Sequence, residues 1–502
     1  MLDIQTADAA RALRRFEDLP GPRGLPLFGN TLQLDGARLH LQLEQWCREY
    51  GPYYRMKLGR RPTLVIGEHE AVAAVLRDRP DGFRRTSRLE QIWTEMGLQP
   101  GVFGAHGDTW RRQRRMVMAG FDPAHIKSYY PALCTVAQRL TRRWQAAARD
   151  GRAIDLQADL MRYTVDTIAG LAFGTEVNTL ESDEDIIQRH LDKIFPALWR
   201  RMTAALPTWR ILRSRADREL ERGIEAVNVA VDSFIAQARA RLQQDPARVK
   251  APPNLLEAML VAADEPDSGI DDHQVAGNVL TMLLAGEDTT ANTVAWMIYL
   301  LSRHPQALAR AADEVRRTIA DPMQPTREEL ERLEYVEACA HEAMRLKPVA
   351  PLLGLQTLRE TTIGDVRVPA GMMVFTLMRR DSVSDAFIPR AADFDPARWL
   401  AEGSARQAAS AAKRISMPFG AGPRICPGRY LALLEMKMAM AMLLNHFEIE
   451  GVDTPDGKEA QEQLSFTMAP LGLRLRLRAR GLTRAPAQPA SAARAGGATR
   501  SR

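Results

Sequence analysis

Apolar positions recur at helical spacing through most of this chain. The longest such pattern covers residues 271–304, about 50 Å at 1.5 Å per residue, and Pro305 stops it. Helical periodicity also dominates residues 129–261, with breaks near 150–151 and at 252–253. Strand patterns are fewer. YYRMKL and PTLVIG, split by Gly59, Arg60 and Arg61, predict a hairpin within a helix, strands and helix stretch over residues 40–77. SFTMAPLGLRLRL predicts a turn into an alternating edge strand. The expected fold is mainly α, an α+β body with a small β portion.

Other stretches carry punctuation instead of period. Residues 19–30 hold three prolines and three glycines among apolar residues, which suits a rigid extended strap packed on the body. Residues 81–109 are rich in turn formers and weakly periodic. Residues 194–214, interrupted by prolines, read either as a helix connection or as a lid over an access channel. No internal linker or repeat is visible, so one domain is expected over residues 19–480, with an N-terminal extension over 1–18 and a disordered basic tail over 481–502.

Composition narrows the class of function. Apolar residues make up 45%, ordinary for a chain that buries a large core. Four of the six net positive charges come from Arg484, Arg494, Arg500 and Arg502 in the tail, so no body-wide basic field implies nucleic acid. Cys47, Cys134, Cys339 and Cys426 are widely spaced and lack zinc spacing, which favours a reducing, cytoplasmic setting. No run of about 18 apolar residues predicts a transmembrane anchor or signal peptide. The first 18 residues are weakly amphipathic, a frayed terminal helix or a membrane-surface element.

The candidate chemistry lies in separated motifs. In MPFGAGPRICPGRYLALLE, residues 417–435, Cys426 stands between a glycine-rich turn and an apolar periodic run. Gly420, Gly422 and Gly428 allow positive φ and close approach to a flat ligand. Pro427 suits the first turn of the helix that follows, placing Cys426 at a helix N-terminus where thiolate is favoured over thiol. A buried, inert cysteine is the alternative. Midway along the longest helical pattern, LLAGEDTTANT places Gly286, Asp288, Thr289 and Thr290 in an apolar helix, a local violation expected at a functional site. Ala285 and Thr289 lie one turn apart, and Gly286 opens space for a flat cofactor; the alternative is a kink with a threonine bonded back to its own helix. GDTWRRQRR puts Trp110 and Arg114 on one helix face, and HEAMRLKP does the same for Glu342 and Arg345. FDPARW supplies Arg398.

Phe419, Gly422, Arg424, Cys426 and Gly428 form the pattern F-x-x-G-x-R-x-C-x-G, which resembles the haem-binding loop of the cytochrome P450 family. AGEDTT, W-x-x-x-R, E-x-x-R and F-x-P-x-R-W are similar to further motifs of that family in the expected order, over about residues 19–480. The resemblance implies haem b between the central helix and the cysteine loop. It implies that Cys426 ligates iron, that Phe419, Gly428, Ala285 and Gly286 lie against the cofactor, and that Trp110, Arg114 and Arg424 bind its propionates. Thr289 would hydrogen-bond dioxygen and Asp288 relay protons, while Glu342, Arg345 and Arg398 form a structural network. Arg111, Arg112 and Arg115 are either a solvated face or part of a donor docking patch.

Where many members of the family carry a propionate-binding arginine, this chain has Leu355, so either another donor substitutes or that side of the cofactor is less anchored. Candidate pocket residues Val102, Phe103, Leu284, Ala350, Leu352 and Phe466 are apolar, with Val349, Leu353 and Met468 beside them. They suggest a lipophilic substrate such as a fatty acid or terpenoid. The implied reaction is hydroxylation or epoxidation by a monomeric monooxygenase, with dioxygen and a separate ferredoxin, flavodoxin or flavin reductase. A peroxide-driven haem-thiolate enzyme and a non-enzymatic haem sensor are the alternatives.

Overall fold

The computed structural model describes residues 13–481 apart from 122, 175–177, 183–185 and 401–405. The first twelve residues of the expected extension, and the tail from 482, lie outside the described residues. Helices form most of the body. The central helix, Asp272–Arg303, follows the sequence pattern to within one residue at each end. Asp271 caps it in a reciprocal box: the Gln274 N–H donates to Asp271 Oδ1 at 2.8 Å, and the Asp271 N–H donates to Gln274 Oε1 at 3.2 Å. Its buried positions lie on nearly every side, because it packs against the helices Leu156–Phe173, Glu334–Leu346 and Arg429–His446 in one apolar core.

The predicted hairpin forms as Tyr53–Leu58 and Arg61–Ile66 and opens a five-stranded sheet. The order continues through Met373–Leu377 and Leu352–Thr357 to Phe83–Arg85. Period-2 alternation in the last strand sends Arg84 and Arg85 to opposite faces, and Arg85 pairs in register with Leu355. The weakly periodic stretch after residue 81 also contains a helix, Ser87–Glu95, which Thr86 caps by accepting from the Leu89 N–H at 3.4 Å. Its polar surface and short length hid it from the hydrophobic pattern.

The C-terminal expectation needs correcting. SFTMAPLGLRLRL contributes a hairpin, Glu462–Ser465 with Thr467–Pro470, turned at Phe466. The strand Arg474–Ala479 then lies between Phe447–Asp453 and Ile154–Asp155 and is not an edge. Pro196 lies inside the helix Ile186–Thr203, and the chain opens into a loop only beyond Thr203. The strap over residues 19–30 lies on the sheet, with the Arg55 N–H bonded to Pro20 O at 2.9 Å. Ahead of it, Arg14–Arg15 pairs parallel to Val366–Val368, and Phe16 is buried.

Candidate active site

The cysteine loop is held by its own backbone. The Cys426 N–H donates to Phe419 O at 2.9 Å, and Ile425 N–H to Gly422 O at 3.1 Å. Gly422 has φ +70° and no room for a side chain: a Cβ there would lie 2.6 Å from the Arg77 Cα at the end of the helix His69–Arg77. The following helix begins at Arg429 with Gly428 as its cap, so Pro427 precedes the cap instead of occupying the first turn. Burial pushes the Cys426 thiol up; the Gly428 N–H and the charges of Arg114 and Arg429 oppose this without reversing it. The local charges and the helix-terminal N–H thus favour thiolate as expected, but loss of solvent outweighs them; a coordinating cation removes the thiol proton directly.

W-x-x-x-R and R-x-C meet at this loop. Arg114 Nη2 donates to Ile425 O at 2.7 Å. The Arg424 guanidinium lies over the Trp110 ring, 4.8 Å from its centroid, and donates to Ala105 O. Arg424 Nε is buried without a partner.

Above, the central helix borders a cavity of about 530 Å³ to which Ala285 and Thr289 contribute. The Thr289 hydroxyl donates to Ala285 O at 2.8 Å, the back-bonded geometry foreseen as the alternative. A Cβ at Gly286 would meet Ile168 Cγ1 at 3.0 Å, so this glycine permits the close crossing of Leu156–Phe173. Asp288 accepts from Thr467 Oγ1, and from Asn292 Nδ2 at 2.7 Å. Burial raises its carboxyl above the ordinary value, against both hydrogen bonds.

Two buried acids nearby were not singled out by the motif. Glu287 is pushed well up by burial and by its hydrogen bond with Asp192, and its Oε1 has no partner. Glu435, beside Thr290, is pushed up to about 8 by burial. The presence of ionisable residues within strongly apolar runs was the available signal for both.

Of the six pocket candidates, Phe103, Leu284, Ala350, Leu352 and Phe466 line the cavity. Val102 does not: it is buried in the core, its N–H donating to Asn278 Oδ1 at 2.8 Å. Phe466 stacks on Phe195 with centroids 4.6 Å apart and meets Phe103 edge-on at 5.8 Å. Its φ of +90° is a strained value for a phenylalanine, held by the one-residue turn between paired strands. Arg85 closes this aromatic row, its guanidinium 4.0 Å from the Phe103 centroid.

The structural network is complete. Arg345 donates to both Glu342 oxygens at 2.7 Å, Arg398 Nε to Oε1 at 2.9 Å, and Trp399 Nε1 to Oε2 at 2.8 Å. Backbone carbonyls of Ser382, Ala391, Asp393, Pro389 and Arg390 accept further guanidinium hydrogens. A second network, unseen in the motifs, joins Arg379 to Glu44 and Glu462, with Lys347 and His40 also on Glu462.

A cysteine on a glycine-bent loop flanked by arginines, together with an acid and alcohol pair midway along a long helix at a cavity, describes a haem-thiolate enzyme. The profile of the cytochrome P450 family matches residues 19–477, and this chain belongs to that family of haem b monooxygenases. It is 27% identical over 451 residues to a chloroplastic carotene epsilon-monooxygenase of Arabidopsis thaliana, covering 85% of this chain and 80% of the relative. It is 26% identical over 447 residues to bifunctional cytochrome P450/NADPH–P450 reductase 2 of Bacillus subtilis, covering 87% and 40%. A self-sufficient cytochrome P450 monooxygenase of Aspergillus niger is 27% identical over 478 residues, covering 92% and 43%. Among the described residues no helix is long and apolar enough to cross a membrane. The residues present fit haem b: Cys426 offers the sulfur, and Arg114 and Arg424, the latter with an orphaned nitrogen, offer cations for its carboxylates.

Proposed function

We propose that this monooxygenase hydroxylates or epoxidises a lipophilic small molecule, a fatty acid or terpenoid, drawing electrons from a separate ferredoxin, flavodoxin or flavin reductase. The observation that carries the substrate class is the cavity of about 530 Å³, lined by Phe103, Leu352 and Phe466 as well as by Thr289. The carotene named for the Arabidopsis relative is a terpenoid hydrocarbon and supports the same class. Four unbonded cysteines are in keeping with a reducing, cytoplasmic setting.

Haem, when bound through Cys426, supplies the oxygen-activating redox chemistry. The chain supplies position and protons. Phe103, Phe195 and Phe466 confine an apolar chain and keep water from it. The Thr289 hydroxyl, at rest on Ala285 O, becomes a proton donor into the cavity on rotating about its side-chain bond. Asp288, with its carboxyl raised by burial and steadied by Thr467 and Asn292, accepts and returns a proton one residue away.

The test supplies purified enzyme with a surrogate ferredoxin and its reductase and screens long-chain fatty acids and terpenoids for oxygenated products by mass spectrometry. Products that depend on the donor chain support the reading; turnover driven only by added peroxide contradicts it. In Thr289→Ala, electron consumption persists while product falls several-fold and peroxide rises. Unchanged coupling removes Thr289 from the proton path.

A further inference from the structure

The hairpin Glu462–Ser465 with Thr467–Pro470 is held differently at its base and at its tip. At the base, Glu462 accepts from Lys347 Nζ at 2.7 Å and from Arg379 Nη1 at 2.8 Å. The return strand is tied by the Met468 N–H, which donates to Val349 O at 2.8 Å. At the tip the contacts are of another kind. Phe466 turns the chain at a strained φ of +90°, and its ring rests on Phe195 of the helix Ile186–Thr203 and on Phe103 of the loop ahead of Gly107. Ring contacts have no directional bond to break, and all three rings line the cavity, so an apolar ligand that enters competes for the same faces. The tip is therefore the part of the hairpin that yields.

The next residue touches the proton-carrying acid. Thr467 is buried, lines the same cavity, and donates its hydroxyl to Asp288 Oδ2, while Asn292 Nδ2 donates to Oδ1 at 2.7 Å. Each carboxylate oxygen thus has a donor. Asn292 is fixed in place, because its Nδ2 also donates to Asp288 O at 2.9 Å and its Oδ1 accepts from Gln157 Nε2 at 3.1 Å. Thr467 is the donor that moves, since its backbone adjoins the strained turn. The charge that bears on Asp288, that of Asp192, has its own sign, so the two hydrogen bonds are what favours the ionised carboxylate. Withdrawing one of them makes the carboxyl take up a proton more readily.

Resting on the reading of Asp288 as a proton relay, we propose that Thr467 is a positioning residue that ties this relay to substrate occupancy. With the cavity empty, Thr467 occupies Asp288 Oδ2 and holds the carboxylate idle. A lipophilic ligand that displaces the Phe466 ring turns the adjoining Thr467 away. Oδ2 is freed, and Asp288 takes up a proton from solvent for delivery toward Thr289. Protons then arrive when there is a substrate to oxidise.

The experiment places isotope-labelled aspartate in the full-length holoenzyme and records infrared difference spectra on adding clotrimazole, a bulky lipophilic probe of the cavity. Labelled bands that disappear in Asp288→Asn belong to Asp288. In the wild type, clotrimazole moves Asp288 from its carboxylate band to its protonated band. Thr467→Val, close in shape but without the hydroxyl, shows the protonated band before the probe is added, and the difference signal falls several-fold. Thr467→Ser keeps the wild-type signal. Phe466→Ala, which removes the ring, leaves Asp288 on its carboxylate band with and without the probe. By reciprocity, Thr467→Val binds clotrimazole about tenfold more tightly, one hydrogen bond to a charged group no longer having to break. With a surrogate ferredoxin and its reductase, substrate-free dioxygen consumption rises several-fold in Thr467→Val, but not when Asp288→Asn is added to it. An Asp288 signal that ignores clotrimazole in the wild type, or that Thr467→Val leaves intact, overturns the gate; the relay then stands alone if Asp288→Asn still lowers dioxygen consumption. Dioxygen consumption indifferent to Asp288→Asn overturns the relay reading, whatever the infrared signal does. Should Thr467→Val fail to fold, Phe466→Ala decides the matter.

Discussion

Glu342 and Arg85 are both charges withdrawn from bulk water, and the protein treats them in opposite ways. Around Glu342, two guanidiniums, an indole and a backbone N–H satisfy both oxygens, and backbone carbonyls accept further hydrogens of the guanidiniums. Around Arg85 there are further arginines and a phenylalanine face, with an orphaned nitrogen. A buried charge is tolerated when its partners are complete, so the first arrangement belongs to the scaffold. The second leaves its cations without a carboxylate partner among the described residues.

Breaking the complete network has the largest effect. Glu342→Ala leaves Arg345 and Arg398 buried and unpaired and lowers unfolding free energy by about 3–5 kcal/mol, read by urea denaturation. Acid weakens the same network. Although burial acts to raise Glu342, the hydrogen bond and charge of Arg345, with Arg398, hold its carboxyl below the ordinary value. Its stabilisation is therefore full above the unfolded value near 4.3 and is lost as pH falls through the folded one. Denaturation midpoints measured downward from pH 6 decline through this acid range, and Glu342→Gln flattens its own share of that slope.

At the incomplete site the changes are smaller. Phe103→Leu removes the ring under Arg85 and lowers the stability of the haem-free protein by about 1 kcal/mol in urea denaturation. Arg85→Met removes both a buried charge that no carboxylate pairs and its contact with Phe103, so the two effects offset and the haem-free protein is unchanged to within about 0.5 kcal/mol. A loss there comparable to that of Glu342→Ala would erase the distinction between the two sites.

The two regions were also unequally visible in the sequence. Glu342, Arg345 and Arg398 stand in motifs whose spacing can be read directly, and the central helix announced itself by a long apolar periodicity ended by Pro305. The hairpin from Tyr53 to Ile66 was equally plain, because alternation and a turn coincide. Arg85 was not, since nothing in FRRTSR separates it from Arg84; only strand pairing sends one toward Glu90 and the other toward the cavity. The close approach of Ile168 to Gly286 was hidden as well, because it comes from another helix. Val102 looked like a pocket residue by its chemistry, yet its backbone is tied to Asn278 and its side chain lies in the core. The Arg379 network joins residues from distant parts of the chain and has no local signature. Period and motif thus reveal elements and short-range partners, whereas the sign of a site's environment depends on tertiary neighbours.

The most direct test of the whole account is the optical spectrum of the reduced protein under carbon monoxide, recorded beside Cys426→Ser. Thiolate-bound haem predicts a strongly red-shifted Soret band in the wild type that disappears in the variant. A folded wild type that binds no haem, or one whose band matches histidine-ligated haem and survives in Cys426→Ser, contradicts it.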